Sequence, residues 1–397
     1  MFGKGVCSYC AKPVDIDKAI LIDDKKYCCE DCYRKISGED EASGIEVELS
    51  PKDIYDALCR NVYGQERAKK ILSNAGYLHL KRVRGELEGV DKSNVLLIGN
   101  SGTGKTYLIK TLASILNVPY TCVSATALTE NGYVGADVES VIRKLEVAAG
   151  GNRKLAEKGI VFIDEIDKLS GTSSKTASGS TVIGREGVQQ ALLKIIEGDM
   201  VDLSESGNGK NMIDTTQILF ICAGAFDGLS DIINRRVNKS YSIGFGGSLN
   251  EREDSRCLSD VTTQDLYDYG MMREFVGRFP KIAVMEDVTK EFLANVLQMD
   301  NSVLRQYERI FENEGVSMQM NDEDIRYIAE KAYIKDTGCR ALRSVCDELM
   351  EDALFRIKEL KGKRINARGE VLSDVCEEYQ ELSLIHISEP TRPLYIS

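Results

Sequence analysis

The sequence predicts an α/β protein: a parallel sheet flanked by helices, followed by a small helical domain and preceded by a short cysteine-rich one. Three observations lead there. Between residue 60 and about residue 285, short apolar runs bounded by turn residues alternate with helical stretches, which is the pattern of a parallel sheet buried on both faces. From about 286 to 360 the periodicity is almost entirely helical. Residues 1–35 differ from both, being short, rich in Lys and Asp, and home to five of the twelve cysteines.

The elements follow in chain order. Residues 37–50 carry five acids, no base and two glycines, so they can bury little apolar surface and read as a flexible acidic linker. Pro51 opens a helical pattern that runs through Asp56–Arg60. Asn94–Ile98, Pro119–Ser124, Ile160–Ile163 and Gln217–Ala223 are the expected strands, and Thr106–Leu116, Val138–Ala149 and Glu186–Glu197 are expected helices. Residues 171–185 and 202–211 are rich in Gly, Ser and Thr and read as mobile loops. The expected domains are therefore 1–36, the linker 37–50, an α/β domain over 51–285 and a helical domain over 286–381. Leu382–Ser397 breaks with this grammar; it resembles a translated sequencing-adapter read-through, and a non-native tail with loss of the natural C-terminus is expected.

Composition narrows the function. The 397 residues are 43% hydrophobic and 29% charged, ordinary for a globular protein, with a formal net charge of −12. That charge argues against nucleic acid as the main ligand. No apolar run is long enough to span a bilayer, and Met1–Cys10 lacks a signal peptide's apolar core, so no membrane association and a cytoplasmic location are expected. The two histidines, His79 and His386, lie in no recognisable nucleophile context, so any proteolysis would have to be carried out by another subunit.

One constellation carries explicit chemistry. Gly99-Asn100-Ser101-Gly102-Thr103-Gly104-Lys105-Thr106 matches G-x-x-x-x-G-K-[ST] between an apolar strand and a helix. Its glycines let backbone N–H groups turn inward around phosphates, Lys105 reaches the β/γ-phosphates, and Thr106 offers a hydroxyl to Mg²⁺. Ile160–Ile163 then delivers Asp164 and Glu165 at the carboxyl end of a strand, where ligands sit in such sheets. Asp164 is the expected Mg²⁺ partner, and Glu165 the expected general base on the attacking water. Either half alone is weaker than the two in this order. Together they predict ATP hydrolysis. An arginine commonly stabilises the charge that develops in phosphoryl transfer, and Arg278 and Arg340 are candidates that composition alone does not separate from surface arginines.

Cys7-x-x-Cys10 and Cys29-x-x-Cys32, eighteen residues apart, suit a tetrahedral structural Zn²⁺ site, which a segment this short needs as a staple. A redox pair and idle thiols are the alternatives. Cys28 is surplus; Cys29 is preferred because only it forms Cys-x-x-Cys with Cys32.

These parts, in this order, resemble the ClpX family of AAA+ unfoldases, from Cys7 to about Lys363. Val62-Tyr63-Gly64-Gln65 through Lys69 is similar to the family's adenine-pocket segment, which with Tyr107 beside the phosphate loop completes the expected ATP contacts. Gly132-Tyr133-Val134-Gly135 is similar to its substrate pore loop, and Gly187–Gly198 and Ile218–Cys222 with Gly224–Phe226 to its central signatures. The resemblance implies an AAA+ P-loop NTPase fold with a treble-clef-like zinc-binding domain in front. It further implies a homohexamer that uses ATP, Mg²⁺ and Zn²⁺, receives protein substrates and adaptors, and feeds the ClpP peptidase. It makes Arg278 the arginine finger acting on the adjacent subunit, Arg340 (over Arg343) the sensor-2 arginine, and Ile243-Gly244-Phe245 the peptidase-docking tripeptide. The chain departs from the family at Ser206–Asn211, where the pore entrance usually carries Arg-Lys-His; a less basic entrance implies weaker attraction for carboxylate-ended degrons. Asn100 stands where a proline is common. HslU-type unfoldases share the ATPase and pore logic but not the cysteine domain. The other readings are a peptidase-independent remodelling ATPase and a non-enzymatic nucleotide-gated scaffold or zinc adaptor, against which Lys105, Asp164, Glu165 and Arg278 argue.

Overall fold

The computed structural model describes residues 4–6, 13–15, 20–23, 26–28, 49–87, 89–128, 134–171, 180–203, 211–241 and 258–374. The cysteine ligands Cys7, Cys10, Cys29 and Cys32, the pore residues Gly132 and Tyr133, the tripeptide Ile243–Phe245 and the tail 382–397 lie outside them, as does most of the acidic linker. The described residues divide into two compact units, one of Met1–Leu58, Glu66–Asn100 and Lys105–Met285, the other of Cys59–Gln65, Ser101–Gly104 and Glu286–Ser397.

The first unit begins with two short antiparallel hairpins, β1 (Lys4–Val6) with β2 (Pro13–Asp15) and β3 (Ile20–Asp23) with β4 (Lys26–Cys28). Helix α1 (Pro51–Asn61) starts at a proline, whose missing N–H is harmless at the first helical position. Helix α2 (Glu66–Val83) follows and leads to β5 (Val95–Ile98). All four β5 side chains are buried, the mark of an interior parallel strand. Then come α3 (Lys105–Leu116), β6 (Tyr120–Ser124), α4 (Val134–Ala148), the short α5 (Arg153–Ala156) and β7 (Ile160–Asp164). Helix α6 (Ser180–Glu197) begins before the expected Glu186, inside the segment read as a loop. A hairpin of β8 (Met200–Asp202) and β9 (Met212–Asp214) precedes β10 (Leu219–Gly224). Helices α7 (Leu229–Tyr241), α8 (Thr263–Asp268) and α9 (Arg273–Val276) lead to β11 (Lys281–Val284), a fifth sheet strand that the apolar-run reading passed over.

The sheet order is β11-β5-β10-β7-β6, and every pairing is parallel. The strand bearing the two acids is thus separated from the strand bearing the phosphate loop by β10. Parallel alignment puts the carboxyl ends of all five strands on one edge, where Gly99 N–H donates to Gly224 O (3.1 Å) and Met285 N–H donates to Ile98 O (2.7 Å). Phe162 and Phe220 are fully buried on neighbouring strands and Phe226 nearly so; each contributes roughly 1.5–3 kcal/mol by leaving water.

The second unit contains α10 (Lys290–Gln298), α11 (Val303–Asn313), β12 (Ser317–Gln319), α12 (Asp322–Ile334), α13 (Arg340–Phe355), β13 (Lys363–Asn366) and β14 (Val371–Asp374). Side-chain caps start three of its helices: Thr289, Ser302 and Asn321 each accept a backbone N–H of the first turn. Asp322, Glu323 and Asp324 add negative charge at the positive end of α12. The unit is mainly helical, as expected, but also holds a three-stranded sheet, β12-β13-β14, that the helical periodicity did not reveal. Its core gathers Leu293, Leu304, Phe311, Ile328, Val345 and Ile365.

Candidate functional site

The acids of the first unit stand at the carboxyl end of β7. Thr106 Oγ1, in the first turn of α3, donates to Asp164 Oδ2 at 3.3 Å. The phosphate-loop hydroxyl and the strand carboxylate are therefore neighbours although 58 residues separate them. This pair of hard oxygen donors suits Mg²⁺, which prefers carboxylate, hydroxyl and phosphate oxygens. When bound, the ion would supply charge neutralisation to the phosphates, with Thr106 and Asp164 as the residues to hold it. Lys105 is buried, and its Nζ donates to Gly99 O (2.5 Å) and Asn100 O (3.0 Å), which folds the ammonium into the loop it serves.

Glu165 has an unusual backbone for a non-glycine, φ 59° and ψ 33°. L-residues disfavour this left-handed region by about 1–2 kcal/mol, and such strain is found where surrounding structure holds a residue to a task. Here the hold is visible. Glu165 N–H donates to Asp164 Oδ1 at 2.9 Å, and Glu165 Oε2 accepts from Ser124 Oγ (2.5 Å) and Thr126 Oγ1 (3.2 Å). Ser124 ends β6 directly opposite Asp164 in the register. Sequence reasoning missed Ser124 and Thr126; their signal, two hydroxyls at the end of an expected strand, acquires meaning only when β6 is known to lie beside β7.

Within the second unit, the loop residues Ser101–Gly104 meet the start of α13. Cys339 N–H donates to Gly102 O at 2.9 Å, and Arg340 Nη1 approaches Ser101 Oγ at 3.4 Å. Arg343 is engaged elsewhere, its Nη2 donating to Gln306 Oε1 at 2.6 Å. Of the two candidate arginines, Arg340 is therefore the one at the phosphate loop. Tyr63 is partly exposed, packs edge-on to Phe292 with ring centroids 5.3 Å apart, and accepts from Asn295 Nδ2 at 2.8 Å. Val62 beside it is buried, and Tyr107 is exposed on the first turn of α3 in the first unit.

Arg278 lies elsewhere. Its carbonyl accepts from Asn94 Nδ2 at 3.2 Å, and Asn94 sits one residue before β5, at the amino end of the strand whose carboxyl end carries Gly99. The five residue steps from Asn94 to Gly99 span about 16 Å when extended, beyond the reach of an arginine side chain. Arg278 thus stands at the opposite edge of the sheet from Lys105, Asp164 and Glu165, and cannot serve the site of its own chain.

The pore-loop residues Val134 and Gly135 open α4, and Gly132 and Tyr133 precede it outside the described residues. Among the described residues no group of three or more His, Cys, Asp or Glu side chains could hold a metal ion, and no helix is long and apolar enough to cross a membrane.

A parallel five-stranded sheet with a phosphate loop after one strand and paired acids after another, followed along the chain by a mainly helical unit, defines an AAA+ ATPase. The family descriptions agree: the AAA domain (Cdc48 subfamily) matches residues 90–282, and the C-terminal, D2-small domain of ClpB protein matches 288–370. The chain is 39% identical over 391 residues to the ATP-dependent Clp protease ATP-binding subunit ClpX of Treponema denticola, covering 92% of each sequence. The chain belongs to the ClpX family. It is an ATP hydrolase, and the family supports an ATP-dependent unfoldase or chaperone role.

Proposed function

We propose that the chain works as a homohexameric unfoldase that threads protein substrates through a central pore and delivers them to the ClpP peptidase. The observation that carries the ring is the separation of Arg278 from the catalytic edge of its own sheet. Lys105, Thr106, Asp164 and Glu165 hold and cut the nucleotide, Val62, Tyr63, Tyr107 and the loop Gly99–Thr106 bind it, and Arg340 senses it. Arg278 completes the same site in an adjacent copy. A phosphoryl group in flight carries charge on its equatorial oxygens, and an arginine supplied in trans neutralises that charge without having to be held in water-filled space.

Hydrolysis then has to move something. Tyr133, between Gly132 and Val134-Gly135, offers a rigid aromatic grip whose flanking glycines allow the loop to swing. Cys7, Cys10, Cys29 and Cys32 hold Zn²⁺ in the N-terminal domain, which recruits substrates and adaptors from the end of the acidic linker; this reading is supported by strands β1 and β4, which end one residue before Cys7 and Cys29 respectively. Ile243-Gly244-Phe245 docks on the peptidase. The domain boundaries proposed are those expected from sequence, 1–36, 37–50, 51–285, 286–381 and a tail 382–397.

The test is ATP-dependent degradation of a folded reporter with an unstructured tail, with and without added ClpP. Loss of reporter only when both ATP and ClpP are present is the expected result, and Tyr133→Ala should keep ATP hydrolysis while unfolding stalls. Normal unfolding by Tyr133→Ala would remove the pore role, and unfolding that ClpP never couples to degradation would remove the delivery step.

A further inference from the structure

Arg278 lies two residues past the end of the four-residue helix α9 and would be a free-swinging side chain if nothing held it. Two groups hold it from different sides. Asn94 is buried to 2% exposure, and its two polar atoms are both used: Nδ2 donates to Arg278 O at 3.2 Å, and Oδ1 accepts from Phe220 N–H at 3.1 Å. One side-chain amide therefore pins the Arg278 backbone to β10 and to the head of β5. Glu197, the last residue of α6, takes the other end: its Oε1 lies 2.5 Å from Arg278 Nη2.

The position of Glu197 is informative. A carboxylate at a helix C-terminus opposes the helix macrodipole. The ion pair is half-exposed on both sides, and solvent-screened pairs of this kind add little to stability. Stability alone gives little reason for an acid there. Geometry gives one. A guanidinium has five N–H donors in a planar fork, and a carboxylate on one nitrogen leaves the others free and aimed. Arg278 and Glu197 line one groove of about 670 Å³ together with Arg82, Lys92, Asn94 and Pro280. Lys92 is committed within it, its Nζ donating to Ile196 O (2.9 Å) and Thr215 O (2.7 Å). Arg278, by contrast, is oriented at its guanidinium by Glu197 and at its backbone by Asn94.

We infer that Asn94 and Glu197 are positioning residues for the arginine finger: Asn94 sets its backbone and Glu197 its guanidinium, so that the finger meets the neighbouring copy's phosphates pre-aimed. This rests on the trans role of Arg278 proposed above. Holding a charged group in the geometry of reaction removes reorganisation from the barrier, and a misplacement of about 1 Å can cost roughly 100-fold in rate. A positioning defect therefore lowers kcat more than it weakens nucleotide binding, because the finger acts on charge that develops on the phosphoryl group only in the transition state.

The experiment is steady-state ATP hydrolysis by the full-length protein, with ring assembly monitored by sedimentation, for Glu197→Ala, Glu197→Gln, Asn94→Ser, Arg278→Ala and the double variant Glu197→Ala/Arg278→Ala. Removing Glu197 relieves the macrodipole conflict, so the fold should tolerate Ala. We expect Glu197→Ala to lower kcat about tenfold, with KM for ATP within about twofold. Glu197→Gln, which keeps the acceptor, should fall between it and wild type. The double variant should be no slower than Arg278→Ala. Asn94→Ser should show the same split; if it fails to fold, the Glu197 cycle decides. Wild-type kcat for Glu197→Ala alongside a slow Arg278→Ala overturns the inference, and so does a loss that adds to that of Arg278→Ala. An Arg278→Ala protein with wild-type kcat instead overturns the trans-finger reading beneath it.

Discussion

Gly102 and Gly104 lie two residues apart in the phosphate loop, and replacing each with alanine should have very different consequences. Both have positive φ, +79° and +91°, so each alanine meets the left-handed penalty of about 1–2 kcal/mol. They differ in what a Cβ would meet. At Gly104 there is nothing within 4 Å. At Gly102 the added carbon would sit 2.3 Å from Thr337 O and 2.9 Å from Gly338 Cα, both backbone atoms that cannot rotate away. The segment must move, which also breaks the 2.9 Å bond from Cys339 N–H to Gly102 O, a further loss of about 1 kcal/mol. Overpacking of this kind adds about 1–3 kcal/mol. The expected difference between the two variants is therefore about 2–4 kcal/mol, seen as roughly 5–15 °C in the thermal unfolding midpoint measured without nucleotide. Equal midpoints for Gly102→Ala and Gly104→Ala would refute the claim that the loop is seated against Thr337 and Gly338.

Other outcomes follow from the same structure. Arg340→Ala should weaken ATP binding or turnover at least about tenfold, as expected for loss of a charge-assisted contact worth about 1.5–3 kcal/mol, while Arg343→Ala, which forfeits only a bond to Gln306, should leave ATPase kinetics unchanged; the reverse ranking in a nucleotide titration would reassign the sensor. His79 is buried, its Nε2–H donates to Lys158 O (2.9 Å), and burial pushes its imidazole down to about 4 from 6.5. The folded state then binds fewer protons than the unfolded one between these values, so His79 contributes stability above pH 6.5 that is lost as the pH falls towards 4, on the order of 3 kcal/mol. Urea midpoints of wild type and His79→Gln should converge as the pH falls through that window; a constant gap between them would contradict the assignment.

What the sequence disclosed and what it withheld divide along physical lines. Strands β5, β7 and β10 were legible because an interior parallel strand is buried on both faces and must be apolar throughout, as in Val95–Ile98. The phosphate loop and its two acids were legible because their chemistry is local: backbone turn, lysine and hydroxyl in eight residues, strand and acids in six. Strand β11 was hidden because Lys281-Ile-Ala-Val284 is a half-buried edge strand without a long apolar run. The first turn of α6 was hidden because Ser180–Gly184 has loop composition, and the later helix carries it. The sheet β12-β13-β14 was hidden because strands of three or four residues are too short for a period-2 pattern to stand out. Ser124, Thr126, Asn94 and Glu197 were out of reach for a different reason. Each acts on a partner tens to hundreds of residues away, Asn94 on Arg278 across 184 positions, and no local spacing encodes such a pairing. The arginines illustrate both cases: the family resemblance singled out Arg278 and Arg340, and only geometry shows that one stands beside Ser101 while the other is at the far edge of the sheet.

Glu165 is the residue through which ATP hydrolysis would drive work on a protein chain, and one paired measurement tests this. ATP binding, ATP hydrolysis and unfolding of a tailed fluorescent reporter are followed together for wild type and Glu165→Gln. Gln keeps the shape of the side chain and its contacts with Ser124 and Thr126 while removing the base. The expected result is unchanged ATP affinity, hydrolysis slowed by about 10²–10⁴, and a reporter that keeps its fluorescence with the variant but loses it with wild type. A Glu165→Gln protein that hydrolyses ATP at the wild-type rate, or that unfolds the reporter without hydrolysis, would contradict it.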